Sequence, residues 1–372
     1  MKTVIVGAGV AGLSIGWRLR QAGVEVTIFE RAQPGQGATW ASAGMIAATA
    51  EHERPQSPEG ELAYRARAMW PGFAREIEDG AGMKIGYAES GSLMVAMTTD
   101  ENTRYAARAA VDPELKVLAA ADARVMEPML TDGVAGALWA SKEAHVDNRA
   151  LGQALARAFV RAGGRLVINE AVVSIETREG RAIAVRGTFG VHEADTFILA
   201  AGAWSGLIDG LPPDALPPVK PMKGEMLALE PPDGAARPGH VVWGNEVYLV
   251  PRGDHLLIGA TLEDVGFDTG VTDSAEDWLS SRAVAVMPSL RDWRIADHWA
   301  GLRPGSPDGL PLLGPTIVSG LFVASGQYRN GILFAPAVAE ILSGLVLGRP
   351  VDFAAFDPRR FAGSLASSAD VG

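Results

Sequence analysis

The chain has 372 residues, enough to bury a large core in two domains, and its formal net charge of −11 argues against nucleic acid or an anionic membrane as a partner. With no cysteine it can form no disulfide, thiolate metal site or thiol nucleophile. Its six histidines stand singly, without HxH or HExxH spacing, so no metal site is expected.

In chain order, Thr3-Val4-Ile5-Val6 predicts a strand, Gly7-Ala8-Gly9-Val10-Ala11-Gly12 a turn, and residues from Val10 to about Gln21 a helix. Val24-Glu25-Val26-Thr27-Ile28-Phe29-Glu30 then predicts a second strand ending in an acid. This unit holds the pyrophosphate of a dinucleotide. Gly7 permits the tight turn, Gly9 lets the backbone approach the phosphates, and Gly12 lets helix and strand pack closely. The helix start offers free N–H groups and about half a positive charge to the anion. Glu30 is placed to accept hydrogen bonds from the adenosine ribose.

Residues 61–78 read as helix, 90–98 as an alternating strand, and 100–111 as helix. Asp147 or Asn148 can cap a helix running to about Ala162. Arg165-Leu166-Val167-Ile168-Asn169 reads as a parallel strand, followed by a hairpin through Glu179-Gly180. Residues 195–200 form the next strand, and residues 211–221 a proline-rich crossing. Residues 222–300 are mostly strand-like, with one helix around 273–287. Residues 3–17 follow Lys2 as an export signal would, but strand, turn and helix account for them. Residues 331–348 approach the length of a membrane span, yet contain Pro336 and Glu340, and read as a buried helix. A cytoplasmic protein without an integral membrane segment is expected, with disorder only from about Ser364.

Near the C-terminus, Trp299-Ala300-Gly301-Leu302-Arg303-Pro304-Gly305 and Phe322-Val323-Ala324-Ser325-Gly326-Gln327-Tyr328-Arg329-Asn330-Gly331-Ile332 place glycine-rich turns after strands. Such turns let backbone amides reach a planar ligand, and a helix dipole aimed there stabilises negative charge on a flavin.

With these stretches, Gly44-Met45 and Val247-Tyr248-Leu249-Val250-Pro251-Arg252, the chain resembles the D-amino-acid oxidase superfamily of FAD enzymes, and within it the glycine oxidases of thiamine biosynthesis. The resemblance implies an α/β fold: a glutathione-reductase-type FAD-binding Rossmann domain with an inserted mixed-sheet (α+β) substrate domain. The first is expected over residues 1–80, 145–215 and 300–372, the second over 81–144 and 216–299. The resemblance further implies FAD contacts by Val10 and Ala11 at the phosphate turn and by Glu30 and Arg31 at ribose and adenine. Ala38, Thr39, Ala43, Gly44 and Met45 would border the pyrophosphate and flavin ring, and Val172 the adenine side. Gln327, Tyr328, Arg329, Asn330, Gly331, Ile332 and Leu333 would wrap the isoalloxazine. FAD should be non-covalent, because the flavin-linking cysteine of some relatives is absent and Ala41 stands after Thr39-Trp40 where others carry histidine.

The resemblance makes Arg303 the principal clamp for a substrate carboxylate, adds a hydroxyl contact from Tyr248, and sets Arg329 beside the substrate. Arginine suits the task because its planar fork bonds both carboxylate oxygens and stays charged when desolvated. Met45, Tyr248, Leu262 and Tyr328 would set the pocket width. The expected activity is oxidation of glycine or another small amino acid, with oxygen as acceptor and peroxide as product. Alternatives are a flavin dehydrogenase of D-amino or N-methyl amino acids that passes electrons to a quinone or carrier, a non-catalytic binding protein, and an NAD-dependent dehydrogenase. Homo-oligomers are common in the family and are expected here.

Overall fold

A computed structural model describes residues 1–53 and 57–362; the tail expected to be disordered from Ser364 lies outside the described residues. Strand Lys2–Val6 lies at the centre of a six-stranded sheet, parallel to Glu25–Phe29 on one side and to Thr196–Leu199 on the other. Arg165–Val167 extends one edge in parallel; Leu321–Ser325 and then antiparallel Leu312–Pro315 extend the other. Both faces are covered, which is why these strands read as apolar runs rather than alternations. Ile5 packs under helices Val10–Gln21, Pro58–Ala81, Asn148–Arg161 and Gly331–Val346. Val4 and Val6 point the other way, toward the antiparallel strands Val172–Arg178 and Arg181–Gly187.

A second sheet has eight strands in the spatial order Arg294–Gly305, Lys220–Glu230, His255–Gly259, Val247–Arg252, Val241–Gly244, Ser92–Ala96, Gly136–Ala140, Leu115–Ala119. Its pairings are antiparallel except between Val241–Gly244 and Ser92–Ala96. Alternation along Lys220–Glu230 sorts its two faces. Leu227 and Leu229 bury against helix Asp273–Val286, while Met226 and Ala228 face Ala41 and Ala43 beside the first sheet. The fold is thus the expected dinucleotide-type α/β sheet with a mixed sheet laid across one end.

Local signals place most elements where expected. Helix Val10–Gln21 has the anticipated ends, and Asp147 caps Asn148–Arg161, accepting from the amides of Arg149 and Ala150 at 2.9 and 3.0 Å. The proline-rich crossing, however, ends at Val219 rather than Pro221, because Lys220 and Pro221 already lie inside strand Lys220–Glu230, with Pro221 opposite Pro304. The reason is parity. The amide of Lys223, two residues on, donates to Glu263 on the side away from Arg294–Gly305. Pro221 shares that orientation, so its missing N–H removes no bond from the ladder.

A buried carboxylate braces the four-residue helix Ala48–Glu51. Glu143 accepts from Thr49 N at 2.7 Å, from Thr49 Oγ1, and from Arg67 Nη1 at 3.2 Å. Burial outweighs these contacts and pushes its pKa up to about 7 from the ordinary 4.5. A raised folded-state pKa gives stability that is full below pH 4.5 and lost as pH rises through about 7. Melting of the Glu143→Gln variant should therefore fall less than wild type between pH 4.5 and 7.5 in a calorimetric series. Parallel curves would show that Glu143 does not titrate in that window.

Candidate active site

Two strand-to-helix turns face one another. Gly7 has φ +104°, and a Cβ there would sit 2.5 Å from the carbonyl oxygen of Ala200. A Cβ on Gly12 would stand 2.0 Å from the Gly7 oxygen, so the helix begins in contact with the strand end. Gly9, the N-cap of helix Val10–Gln21, caps it with no side chain; only Thr39 Oγ1 reaches Val10 N, at 3.0 Å. Beneath the turn, Glu30 accepts from Ala8 N at 2.8 Å and Ala32 N at 3.0 Å, leaving lone pairs for hydroxyl donors. The Arg31 guanidinium stacks 3.7 Å over Trp204. At the far end of the chain, Leu321–Ser325 leads through Gly326 and Tyr328, with φ +73° and +51°, into Gly331–Val346, which also lacks a side-chain cap. A Cβ on Gly331 would lie 4.0 Å from Val10 Cγ1, so the two helix starts are neighbours.

Between them and the second sheet lies a cavity of about 790 Å³. Gly7, Gly9, Val10, Ala11, Glu30, Arg31, Ala38, Thr39, Ala43, Gly44, Met45, Val172, Gln327, Tyr328, Arg329, Asn330, Gly331 and Ile332 line it, together with Tyr248 and Arg303. Gly12 and Leu333 do not. Gly12 sits behind the turn, and Leu333 is buried in the core with its carbonyl accepting from Trp70 Nε1 at 2.9 Å.

At the end bounded by the second sheet, Arg303 Nη1 donates to two backbone carbonyls, Lys223 and Thr261, each at 3.1 Å. No carboxylate among the described residues pairs with it. Tyr248 lies beside it; burial, opposed by the Arg303 charge, raises its hydroxyl above the ordinary phenol value and keeps it protonated. Arg329 is different: its side chain is 56% exposed, and Nε lies 2.8 Å from Glu51 Oε2. Burial raises the pKa of Glu51, with Arg329 opposing. Met45, Leu262 and Tyr328 line the same cavity, and Leu262 is 59% exposed.

Three contributors escaped the sequence reading. Gly224 and Gly259 are vacant on purpose: a Cβ at Gly224 would meet Arg303 Nη1 at 2.2 Å, and one at Gly259 the Tyr248 hydroxyl at 2.3 Å. Only the cross-strand register reveals them. Glu51 was hidden in a helix of four residues. Arg252, within a stretch that carried the resemblance, is structural: it donates to Asn148 Oδ1, Ala43 O and Val146 O at 2.6, 2.6 and 2.8 Å. Gly44 leaves room for it, since a Cβ would stand 2.9 Å from Arg252 Nη2.

A dinucleotide sheet, two facing glycine turns and an arginine-bearing mixed sheet define a flavoprotein oxidoreductase. The family model of FAD dependent oxidoreductases (DAO) matches residues 2–345, and the chain belongs to that family. It is 35% identical over 354 residues to a glycine oxidase of Pseudomonas aeruginosa, covering 94% of this chain and 95% of the relative. It is also 35% identical over 367 residues to a bifunctional protein ThiO/ThiG of Synechocystis, covering 96% of this chain; the chain spans about half of that relative's length, 54%. The crystal structure of glycine oxidase from Geobacillus kaustophilus superposes with a TM-score of 0.88 at 33% identity, covering 95% of this chain and 97% of that one. Iminodiacetate oxidase from Chelativorans gives 0.86 at 29%, with 96% and 98% covered.

FAD is the family's cofactor, and this chain's residues fit it. Two helix starts whose N-cap residues supply no side-chain cap offer N–H donors to an acceptor-rich anion, and the buried Gln327 Nε2 has no hydrogen-bond partner among the described residues. Ala41 lies with its Cβ 2.4 Å from where a Cβ on Gly301 would stand, leaving little room for a longer side chain. Among the described residues no helix is long and apolar enough to cross a membrane.

Because the atoms a Gly224 methyl would strike are the far end of a flexible side chain, Gly224→Ala should melt within about 1 kcal/mol of wild type. The guanidinium of Arg303 should instead be displaced. Acetate titrated into the FAD-loaded protein and followed by flavin absorbance should bind more weakly; unchanged affinity would mean that Arg303 keeps its place.

Proposed function

We propose that the chain uses FAD to oxidise glycine, or another small amino acid, to the imine. Water hydrolyses the imine to the 2-oxo acid and ammonia, and oxygen is reduced to hydrogen peroxide. FAD, when bound, supplies the hydride acceptor. Residues 1–80, 145–215 and 300–372 serve as its domain, and residues 81–144 and 216–299 form the substrate domain. Val10, Ala11 and their neighbours hold its pyrophosphate, Glu30 its ribose, and residues 327–332 its ring, without a covalent link, Leu333 lying behind them in the core. The likeness to glycine oxidases and to ThiO/ThiG supports this reading and a role in thiazole formation for thiamine.

One observation carries the substrate assignment: Arg303 has one nitrogen fixed by two carbonyls and, among the described residues, the rest of its fork without a carboxylate partner. A substrate carboxylate completes that fork through charge-assisted bonds. The neutral Tyr248 hydroxyl donates a further bond to it. Arg329, tied to Glu51 at the more exposed side, adds positive potential without being the main clamp. The chain thus contributes orientation and a positively biased pocket.

The test is anaerobic bleaching of the flavin, followed by a peroxide assay, across glycine, sarcosine and small D- and L-amino acids. At least one should bleach it and yield peroxide. Bleaching without peroxide would favour a dehydrogenase of the same fold, and no bleaching by any of them would end the oxidase reading. Arg303→Leu should retain FAD and raise KM about a hundredfold, since the lost bonds are worth roughly 3 kcal/mol together. An unchanged KM would remove Arg303 from the site.

A further inference from the structure

The sequence Lys223-Gly224-Glu225 lies in the strand beside Arg303. Strand alternation turns Gly224 toward the Arg303 guanidinium, and Lys223 and Glu225 to the opposite face with Leu227. There both are shut away from water, Lys223 at 2% exposure and Glu225 at 0%. Lys223 Nζ lies 2.8 Å from Glu225 Oε1 and 3.3 Å from Glu263 Oε2. Burial works against both charges. Their mutual hydrogen bonds nonetheless raise the lysine above its ordinary value and hold Glu225 below the carboxylate range, so the pair stays ionised.

This buried pair grips both feet of the segment 261–272. At one foot, Glu225 N donates to Thr261 Oγ1 at 2.9 Å, and Thr261 Oγ1 to Glu263 Oε1 at 2.6 Å. Lys223 and Glu263 exchange backbone bonds at 2.9 and 3.0 Å. At the other, the Glu225 carboxylate accepts from Thr272 N at 2.9 Å, with Thr272 Oγ1 at 3.2 Å. His298 Nε2 closes the cluster, 2.8 Å from Glu225. The two carbonyls that hold Arg303 Nη1 belong to Lys223 and Thr261, one on the strand and one on this foot.

We propose that Lys223, acting with Glu225 and Glu263, is a positioning residue for substrate binding: it fixes the strand and the foot of segment 261–272 to each other, and so sets the two carbonyls that aim Arg303. The proposal rests on Arg303 being the carboxylate clamp. The ammonium never touches substrate; its effect passes through backbone oxygens. Segment 261–272 also brings Leu262 to the cavity and Phe267 to 5.6 Å from Trp204, so the same anchor governs the wall over the site.

The test uses the FAD-loaded enzyme. Lys223→Met should keep FAD, yet raise KM for the amino acid at least about tenfold with a smaller change in kcat, as a displaced guanidinium would. Acetate affinity, read by flavin absorbance, should fall in step, and amides of residues 261–272 should exchange hydrogen faster. In the Arg303→Leu background, Lys223→Met should add nothing further to KM, because both changes act through one group. Additive effects, or wild-type KM and acetate affinity in Lys223→Met, would overturn the proposal. If Lys223→Met loses FAD, Glu263→Gln at the more exposed partner decides by the same measurements. A wild-type KM in Arg303→Leu would instead overturn the assignment of Arg303, a separate failure.

Discussion

The backbone contact between Gly7 and Gly12 is the constraint on which the rest depends. At 2.0 Å from a would-be Cβ to a carbonyl oxygen, no side chain is tolerated at residue 12, and the helix starts directly at the strand's end. Its first amides therefore open into the cavity instead of being covered by a connecting loop. Gly331–Val346 arrives beside it through its own glycine turn. A helix leaves four N–H groups unpaired at its start, and a side-chain cap there is worth about 1 kcal/mol. Neither N-cap residue supplies such a cap, and of the first-turn amides of Val10–Gln21 Thr39 Oγ1 takes up only Val10 N among the described residues. The remaining first-turn amides and the positive ends of both dipoles make this end of the cavity attractive to negative charge, and any acceptor bound there would stabilise the turns by its own binding free energy.

The opposite wall is governed by how much of each guanidinium is already spoken for. Arg252 and Arg303 come from strands of the same sheet with two others between them, and both bond backbone carbonyls. Arg252 meets three oxygens and pins the backbone of Ala43 beside the cavity. Arg303 commits a single nitrogen. Arg329 commits itself to Glu51 at the exposed side. Three arginines thus divide into a rivet, a fork still largely open, and a rim charge. The division follows from partners that residue type alone does not reveal.

That contrast explains what was legible in the sequence. The Rossmann unit, the Asp147 cap and the hairpin at Glu179-Gly180 are written in local patterns: apolar periodicity, a short acceptor before a helix, and two adjacent positive-φ positions. The two glycine turns were legible for the same reason, and the residues around them do line one cavity. Gly224 and Gly259 were not. Their meaning lies in a side chain crossing from the adjacent strand, and register is a tertiary property. Pro221 misled because a proline usually ends a strand; here its nitrogen faces the side where no ladder bond is required. Glu51 gave no signal, since its partner Arg329 is distant in the chain and near only in the fold.

The buried Lys223–Glu225 pair poses a question of economy. Removing two charges from water costs several kcal/mol per ion, and well-packed apolar residues of similar volume often leave a protein equally or more stable. A requirement of stability alone therefore does not account for it, since the strand already buries Leu227 and Leu229 on that face. What apolar packing cannot supply is direction. Leucine would fill the space and leave the backbone bonds between Lys223 and Glu263, yet it would add no directed side-chain tie between the strand and residues 261–272, because dispersion has no preferred angle. An ammonium held between two carboxylates has fixed vectors, and each carboxylate passes them on to Thr261 or Thr272. As the proposed carboxylate clamp, Arg303 needs that definition: a fork that is to recognise a planar carboxylate loses most of its advantage once its plane is free to tilt.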